Sequence, residues 1–389
     1  MTPACVRAAA ATVLAAALAA GCTSTNQPAP TLRLARASFA ALPKWQSVHL
    51  DAALAAFQRG CAMLARRDAH DPMGGAGYAG TIGDWRAPCE ARDADARQFF
   101  ETRFTPFTVQ AAGHGLFTGY YEPQIKVSRS REGAFQIPIY GLPPDLVRAD
   151  LGAFLSRLKG EHIAGKLQGR TLIPYAGRAA IDAAGIPGAV PILYTDDSAA
   201  LFFLQIQGSG RGLLADGEVV RLAYAGDNGQ PYTAIGRVLV DEKELSKDAV
   251  SLQTIRAWLK AHPQKARAVM EQDKSYVFFR ETPLGDPALG GIGTLGVKLT
   301  PEASLAVDAR LHALAMPFYV ATEGDDAFDG LLIAQDTGGA IRGAVRGDIF
   351  FGFGAEAEQR AGMLKAPGLM FVLLPNALAA KLGDGWTAP

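Results

Sequence analysis

The sequence predicts a mainly β protein with flanking helices, built as barrels and not as a doubly wound sheet. Three observations predict it. Short β-rich runs recur between turn residues. Glycine and proline are frequent, at 43 and 23 of 389 residues. Strands and helices do not alternate regularly, as a doubly wound sheet would require. The length allows two or more domains. Nearly half the residues are apolar and 20% are charged, an ordinary globular balance. The formal net charge is zero, so no basic field is available for nucleic acid and no charge excess for a strongly acidic polymer.

The first 21 residues read as a signal peptide. Arg7 lies in a short polar start, and Ala8 to Ala20 is apolar but too short to span a bilayer. The segment ends Leu18-Ala19-Ala20-Gly21-Cys22, small residues before a cysteine, like a bacterial lipoprotein cleavage site. Cys22 would carry the lipid, and 22–31 would be a polar tether. Cys61 and Cys89 remain; they could pair in an oxidising compartment or stay as two free thiols.

Apolar residues at helical spacing, Leu54, Phe57, Cys61 and Leu64, predict a helix over 50–66, and 97–104 predicts a short one. From Phe107 the pattern turns to β. Strands are predicted at 107–110, 116–121, 135–140, 190–194, 201–207 and 219–225, with a helical stretch within 143–158. Two helices follow at 251–261 and 264–272, with Pro263 between them. The last third reads as strands at 276–280, 306–308, 318–321, 331–335, 349–351 and 370–374, with a short helix at 355–361.

Two motifs have the wrong context for the chemistry they suggest. Gly291-Ile292-Gly293-Thr294-Leu295-Gly296 fits a dinucleotide fingerprint, but no strand precedes it and no helix follows. Asp336-Thr337-Gly338 matches an aspartic protease, but no second copy supplies the paired carboxylate. Gly208-Ser209-Gly210 lacks the nucleophile elbow. The six histidines are scattered without metal-ligand spacing. No metal and no cofactor is indicated.

The remaining candidates are Asp308, Asp336 and Asp348 in β-rich surroundings. Asp336 follows the apolar Leu331 to Ala334, and Asp348 opens Asp348-Ile349-Phe350-Phe351-Gly352-Phe353. A carboxyl beside a buried apolar run can have a raised pKa, because desolvation disfavours its charge, and that suits a general acid. Taken singly, each aspartate is more simply read as capping a turn or accepting backbone N–H bonds. Phe350, Phe351 and Phe353 are placed in sequence to desolvate it. Tyr120 and Tyr121 in Gly119-Tyr120-Tyr121-Glu122-Pro123 offer faces for sugar rings, or equally fill a core. Gln205 and Gln207, read as alternate residues of a strand, would share one face.

In order, the segments Phe117 to Pro123, Phe135 to Tyr140, Gln205 to Gly210, Tyr224 to Gly229, Tyr232 to Gly236, Ser275 to Phe279, Ala334 to Ile341 and Arg346 to Gly352 resemble the membrane-bound lytic murein transglycosylase A family. The resemblance covers roughly 105–375. It implies a double-psi β-barrel formed from 32–124 and 272–380, the latter holding the three-aspartate domain. A second β-barrel, 125–271, would be inserted, with glycan in the groove between the two. It implies Asp348 as catalytic acid and base, with Asp336 in support. Substrate contacts would come from Thr118, Gly119, Tyr120, Tyr121, Gln205, Gln207, Gly208, Ser209, Tyr224, Gly226, Thr337 and Gly338.

Around Asp308 the chain departs from the family pattern, reading Val307-Asp308-Ala309 and then His312-Ala313-Leu314-Ala315, so the role of Asp308 is open. The implied reaction cuts the β-1,4 bond between N-acetylmuramic acid and N-acetylglucosamine in peptidoglycan without water, leaving 1,6-anhydromuramyl ends. The implied partners are glycan strands and a membrane reached through the lipid; participation in cell-wall enzyme complexes stays open. The implied location is the periplasmic side of the envelope, at the outer membrane, since position 23 is not Asp. The rivals are a hydrolase with two carboxylates and a non-catalytic peptidoglycan-binding lipoprotein.

Overall fold

The computed structural model describes residues 32–388, apart from 92–94, 112–114, 159–161, 325 and 340. The signal, tether and Cys22 readings lie outside the described residues.

A ten-stranded mixed sheet dominates. Across it run Lys365–Ala366, Leu116–Glu122, Arg346–Phe353, Ser304–Val307, Asp329–Thr337, Pro317–Thr322, Gly368–Pro375, Phe104–Gln110, Arg33–Arg36 and Gly385–Thr387. Early and late segments of the chain interleave in this one sheet, so the two ends of the described chain fold as a unit. Its two edge strands do not pair with each other among the described residues. No closed barrel is therefore seen, and the architecture stands as mainly β with helices. Helices Asp51–Leu64 and Ile82–Glu90 lie against the sheet and are joined by a Cys61–Cys89 disulfide. Phe57, Trp85, Phe99, Phe100 and Phe104 fill the space between helices and sheet.

The middle of the chain forms smaller sheets. One has four strands, in the order Val277–Thr282, Val219–Asp227, Gly210–Leu213, Gln124–Lys126; one has three, Leu146–Asp150, His162–Gln168 and Thr171–Pro174; and one has two, Ile137–Tyr140 and Pro191–Thr195. The helix predicted within 143–158 is absent. Leu146–Asp150 pairs antiparallel with His162–Gln168, and only 3₁₀ turns follow it.

The strand predicted at 201–207 is a helix, Ser198–Gln207. Asp197 caps it by accepting from the Ala200 amide at 2.9 Å, and Gly208 ends it in the left-handed region at φ 78°. The run reads as continuously apolar because this helix is buried on two sides. Leu201 and Leu204 enter one core, while Phe202 and Phe203 enter another. No helix among the described residues is long and apolar enough to cross a membrane.

Candidate active site

Leu116–Glu122 and Arg346–Phe353 run parallel, with Thr118 opposite Asp348 and Tyr120 opposite Phe350. The strand Ser304–Val307 separates the two aspartates, and Ala306 pairs with Asp348 on one side and Asp336 on the other. Strand spacing places their backbones about 9–10 Å apart. A register shift after Leu305 is what brings Asp336, and not Gln335, opposite Ala306. The Gln335 side chain turns into the core, donating to Ala56 O at 2.9 Å and accepting from Ser304 Oγ at 2.6 Å.

Side chains of Leu116–Glu122 alternate between faces. Phe117 and Tyr121 enter the core. Gly119 points the same way, and a Cβ there would stand 2.5 Å from the Phe351 ring and 2.7 Å from Ala361 Cα. Gly119 and Tyr121 thus pack towards the core, on the face away from Thr118 and Tyr120. The opposite face carries Thr118, Tyr120 and Glu122. Thr118 Oγ1 receives a hydrogen bond from Arg346 Nη2 at 2.9 Å and donates to Asp348 Oδ1 at 2.5 Å. The other oxygen, Oδ2, has no hydrogen-bond partner among the described residues. Burial pushes the Asp348 carboxyl above the usual carboxylate range; Thr118 and Arg346 oppose that shift, and Asp336 adds to it.

Asp336 is held differently. Its Oδ2 accepts from the Tyr120 hydroxyl at 3.0 Å. Its Oδ1 accepts from the Thr294 amide at 3.0 Å, the Thr294 hydroxyl at 2.9 Å and the Thr337 amide at 2.9 Å. Three of these four donors crowd Oδ1, and Oδ2 accepts from Tyr120 alone among the described residues. Tyr120 is raised well above the ordinary phenol range by burial and by Asp336 and Asp348, so it stays a donor. Its ring centroid lies 5.2 Å from that of Phe350.

Thr294 belongs to the glycine motif whose sequence context excluded dinucleotide binding. Residues 290–299 form a hairpin in which Gly290 donates to Leu299 O and Leu299 to Gly291 O. Gly293 lets the hairpin lie against the sheet, since a Cβ there would stand 2.6 Å from Gln335 O. The sequence reading missed Thr294. Its only sequence signal was an unassigned glycine-rich segment that demanded some close backbone approach.

Of the three phenylalanines after Asp348, only Phe350 borders this network. Phe351 packs on Phe328, with ring centroids 6.0 Å apart, and Phe353 lies under the Arg211 guanidinium at 3.3 Å. Thr337 Oγ1 lies 2.8 Å from Thr294 Oγ1, and Gly338 turns the chain by accepting from the Ile341 amide at 3.0 Å.

The remaining candidates are dispersed. Gln205 is buried, bonded to Arg178 Nη1 at 2.5 Å and Val277 O at 3.3 Å, whereas Gln207 is exposed. On a helix, residues two apart do not share a face, which corrects the one-face expectation. Gly208 is a helix cap. Ser209 Oγ would lie 3.4 Å from a Cβ on Gly291, beside the hairpin. Tyr224 donates to Asp227, and with Gly226 it borders a cavity of ≈ 170 Å³ shared with Leu142, Arg148 and His162; neither Asp336 nor Asp348 lines that cavity.

Asp308 stands outside the site. Fully buried, it accepts from Arg310 Nε at 2.9 Å, Arg310 Nη2 at 2.7 Å and the Gly343 amide at 2.9 Å. Burial alone would raise its pKa, but these bonds outweigh that and hold it at about 2. Nearby, His312 is buried between the Tyr78 hydroxyl at 2.6 Å and Ala344 O at 2.7 Å, and burial lowers it to about 4, so it is neutral at pH 7. Among the described residues, no group of His, Cys, Asp and Glu could hold a metal ion.

Two family models match the chain: the MltA specific insert domain over residues 116–280 and the 3D domain over 303–374. Membrane-bound lytic murein transglycosylase A of Escherichia coli is 32% identical over 271 residues. That match spans 67% of this chain and 66%, just under two thirds, of the relative. The crystal structure of MltA from Neisseria gonorrhoeae superposes with a TM-score of 0.74 at 32% identity, covering 89% of this chain and 91% of that one. A membrane-bound lytic murein transglycosylase from Agrobacterium tumefaciens gives 0.76 at 31%, covering 90% and 99%. E. coli MltA with bound chitohexaose gives 0.62 at 26%, covering 83% and 90%.

Proposed function

This chain belongs to the membrane-bound lytic murein transglycosylase A family, and from that premise we propose that it is a peptidoglycan lytic transglycosylase working through one carboxyl group, Asp348. The observation that carries the proposal is the pair of unlike oxygens on that residue. Oδ1 is anchored by Thr118, and Oδ2 is left without a partner among the described residues, on a carboxyl that burial keeps inclined to hold its proton.

The reaction uses that group twice. Protonated Asp348 donates to the glycosidic oxygen between N-acetylmuramic acid and N-acetylglucosamine as the bond to the muramyl C1 breaks. The carboxylate then takes the proton of the muramyl C6 hydroxyl while that oxygen bonds C1, closing the 1,6-anhydro ring. Attack from within the same sugar has a large effective-molarity advantage, so no second catalytic carboxylate is required. Arg346 occupies a lone pair of the Thr118 hydroxyl and thereby points its hydrogen at Asp348 Oδ1. Asp336 stabilises positive charge developing at C1 and orients Tyr120.

A two-carboxylate hydrolase is disfavoured by the state of Asp336. A base for water must accept the water's proton. Oδ1 of Asp336 is filled by three donors and Oδ2 already accepts from Tyr120, which leaves one lone pair of Oδ2 for that task.

The finer architecture follows the family: a double-psi barrel from both ends of the chain, an inserted barrel that extends past the expected 125–271 to take in Val277–Thr282, which pairs with Val219–Asp227, and the glycan in the groove between them. Thr118, Tyr120, Ser209 and Thr337 are the candidate contacts that the fold leaves near the aspartates or the hairpin beside them. Lipidation at Cys22 would hold the enzyme at the outer membrane, facing the periplasm. Mass spectrometry of digested sacculi tests the reaction: anhydromuramyl ends support it, and reducing ends would replace it with hydrolysis.

A further inference from the structure

The face of Leu116–Glu122 that carries Thr118 and Tyr120 ends in Glu122, a residue the reaction does not use. Glu122 is 2% exposed and bonds two buried arginines. Arg211 Nε donates to its Oε2 at 3.0 Å, and Arg221 Nη1 donates to its Oε1. The arginines sit directly opposite each other on adjacent strands of the four-stranded sheet. Like charges so placed repel, and Glu122 balances only one of the two. Such a cluster is a poor way to fill a core, and it leaves Arg221 Nε buried without a partner among the described residues.

The arginines do more than meet Glu122. Arg211 donates to Pro287 O at 3.0 Å and Leu289 O at 2.9 Å, and Arg221 donates to Leu289 O at 2.9 Å. Those carbonyls lead directly into the 290–299 hairpin. Gly290 of that hairpin lies against the Phe350 ring, and Thr294 holds Asp336.

We propose that Glu122, Arg211 and Arg221 form a clamp that seats this hairpin over the acid, making them positioning residues for the reaction. The clamp ties three parts of the chain together: the strand carrying Thr118 and Tyr120, the four-stranded sheet, and the hairpin that holds Asp336. Seated, the hairpin keeps water from Phe350 and Tyr120, and so preserves the desolvation that keeps Asp348 protonated. The clamp's catalytic meaning rests on Asp348 being the acid.

The test compares the parent chain with Glu122→Gln and Arg221→Lys. Hydrogen exchange reads the clamp without reference to activity. In the parent, the amides of Gly290, Gly293 and Leu299 exchange as slowly as those of Val219–Asp227; exchange as fast as in exposed turns overturns the proposal even if neither variant folds. In folded Glu122→Gln those amides speed up by about tenfold or more, while those of Ser304–Val307 do not. Unchanged hairpin exchange overturns the clamp.

In turnover, kcat falls by about tenfold or more with KM within about twofold, and Arg221→Lys falls less. The basic limb of the rate profile moves to lower pH, because a better-solvated Asp348 loses its proton sooner. Loss of rate that only tracks melting temperature, with the limb unmoved, denotes a merely structural role and also overturns the proposal. Absence of anhydromuramyl product from the parent would defeat the proposed reaction, and the exchange result would still decide the clamp.

Discussion

Asp348 and Asp308 are close in sequence character and opposite in setting. Each lies at the edge of an apolar run in the same sheet, and each is withdrawn from water. Asp308 is surrounded by donors, two from one guanidinium and others from backbone, and its pKa falls to about 2. Asp348 receives one hydroxyl donor, and desolvation prevails, so its pKa rises. Burial is common to both. At Asp308 the charged guanidinium of Arg310 and the backbone amides outweigh desolvation and make an ion that ties two loops, whereas at Asp348 desolvation outweighs Thr118 and Arg346 and leaves an acid that can give up a proton.

The largest expected effect comes from exchanging the acid. Asp348→Asn retains an oxygen for Thr118 but no transferable proton. Release of anhydromuropeptides should fall by roughly 10³-fold or more while folding and glycan affinity persist. Asp308→Asn should remain active at temperatures where it is folded; equal loss in both variants would erase the contrast. Asp336→Asn comes next. It disturbs the acceptor of Tyr120 and Thr294, and kcat should fall by about 10- to 100-fold, with KM changing less.

The third effect is on stability. The Asp308 pKa is depressed on folding, so its contribution is present above the unfolded value near 4 and is lost as pH falls through about 2. Asp308→Asn should cost about 2 kcal/mol in denaturant unfolding at pH 6, and the gap from the parent should close towards pH 2. The smallest effect has the opposite sign. The Asp348 pKa is raised on folding, so its charged form weakens the fold as pH rises. Asp348→Asn should raise the melting temperature by about 1–3 °C at pH 8 and hardly at all at pH 3.

The sequence made some of this legible. The β-rich run Leu116 to Tyr121 and the apolar runs around Asp336 and Asp348 located the strands, because short β-rich segments between turn residues leave that pattern. What it could not provide was pairing across distance. The shared neighbour Ala306 and the one-residue register shift that brings Asp336 level with Asp348 depend on three strands meeting. Helix Ser198–Gln207 was misread because two cores bury it, which erases a one-sided period, although Asp197 and Gly208 marked its ends. Thr294 was passed over because its glycines fit another chemistry's motif; only the approach of Gly293 to Gln335 reveals their purpose. The pairing of Cys61 with Cys89 was left open by spacing and was decided by two helices meeting.

The central claim is that Asp348 keeps its proton where an ordinary aspartate would not. Carbon-13 NMR titration of the parent chain, with Asp348→Asn used to assign the signal, measures this directly. The account predicts a carboxyl that titrates above the ordinary aspartate value of about 3.9. A carboxyl titrating at or below that value would contradict it.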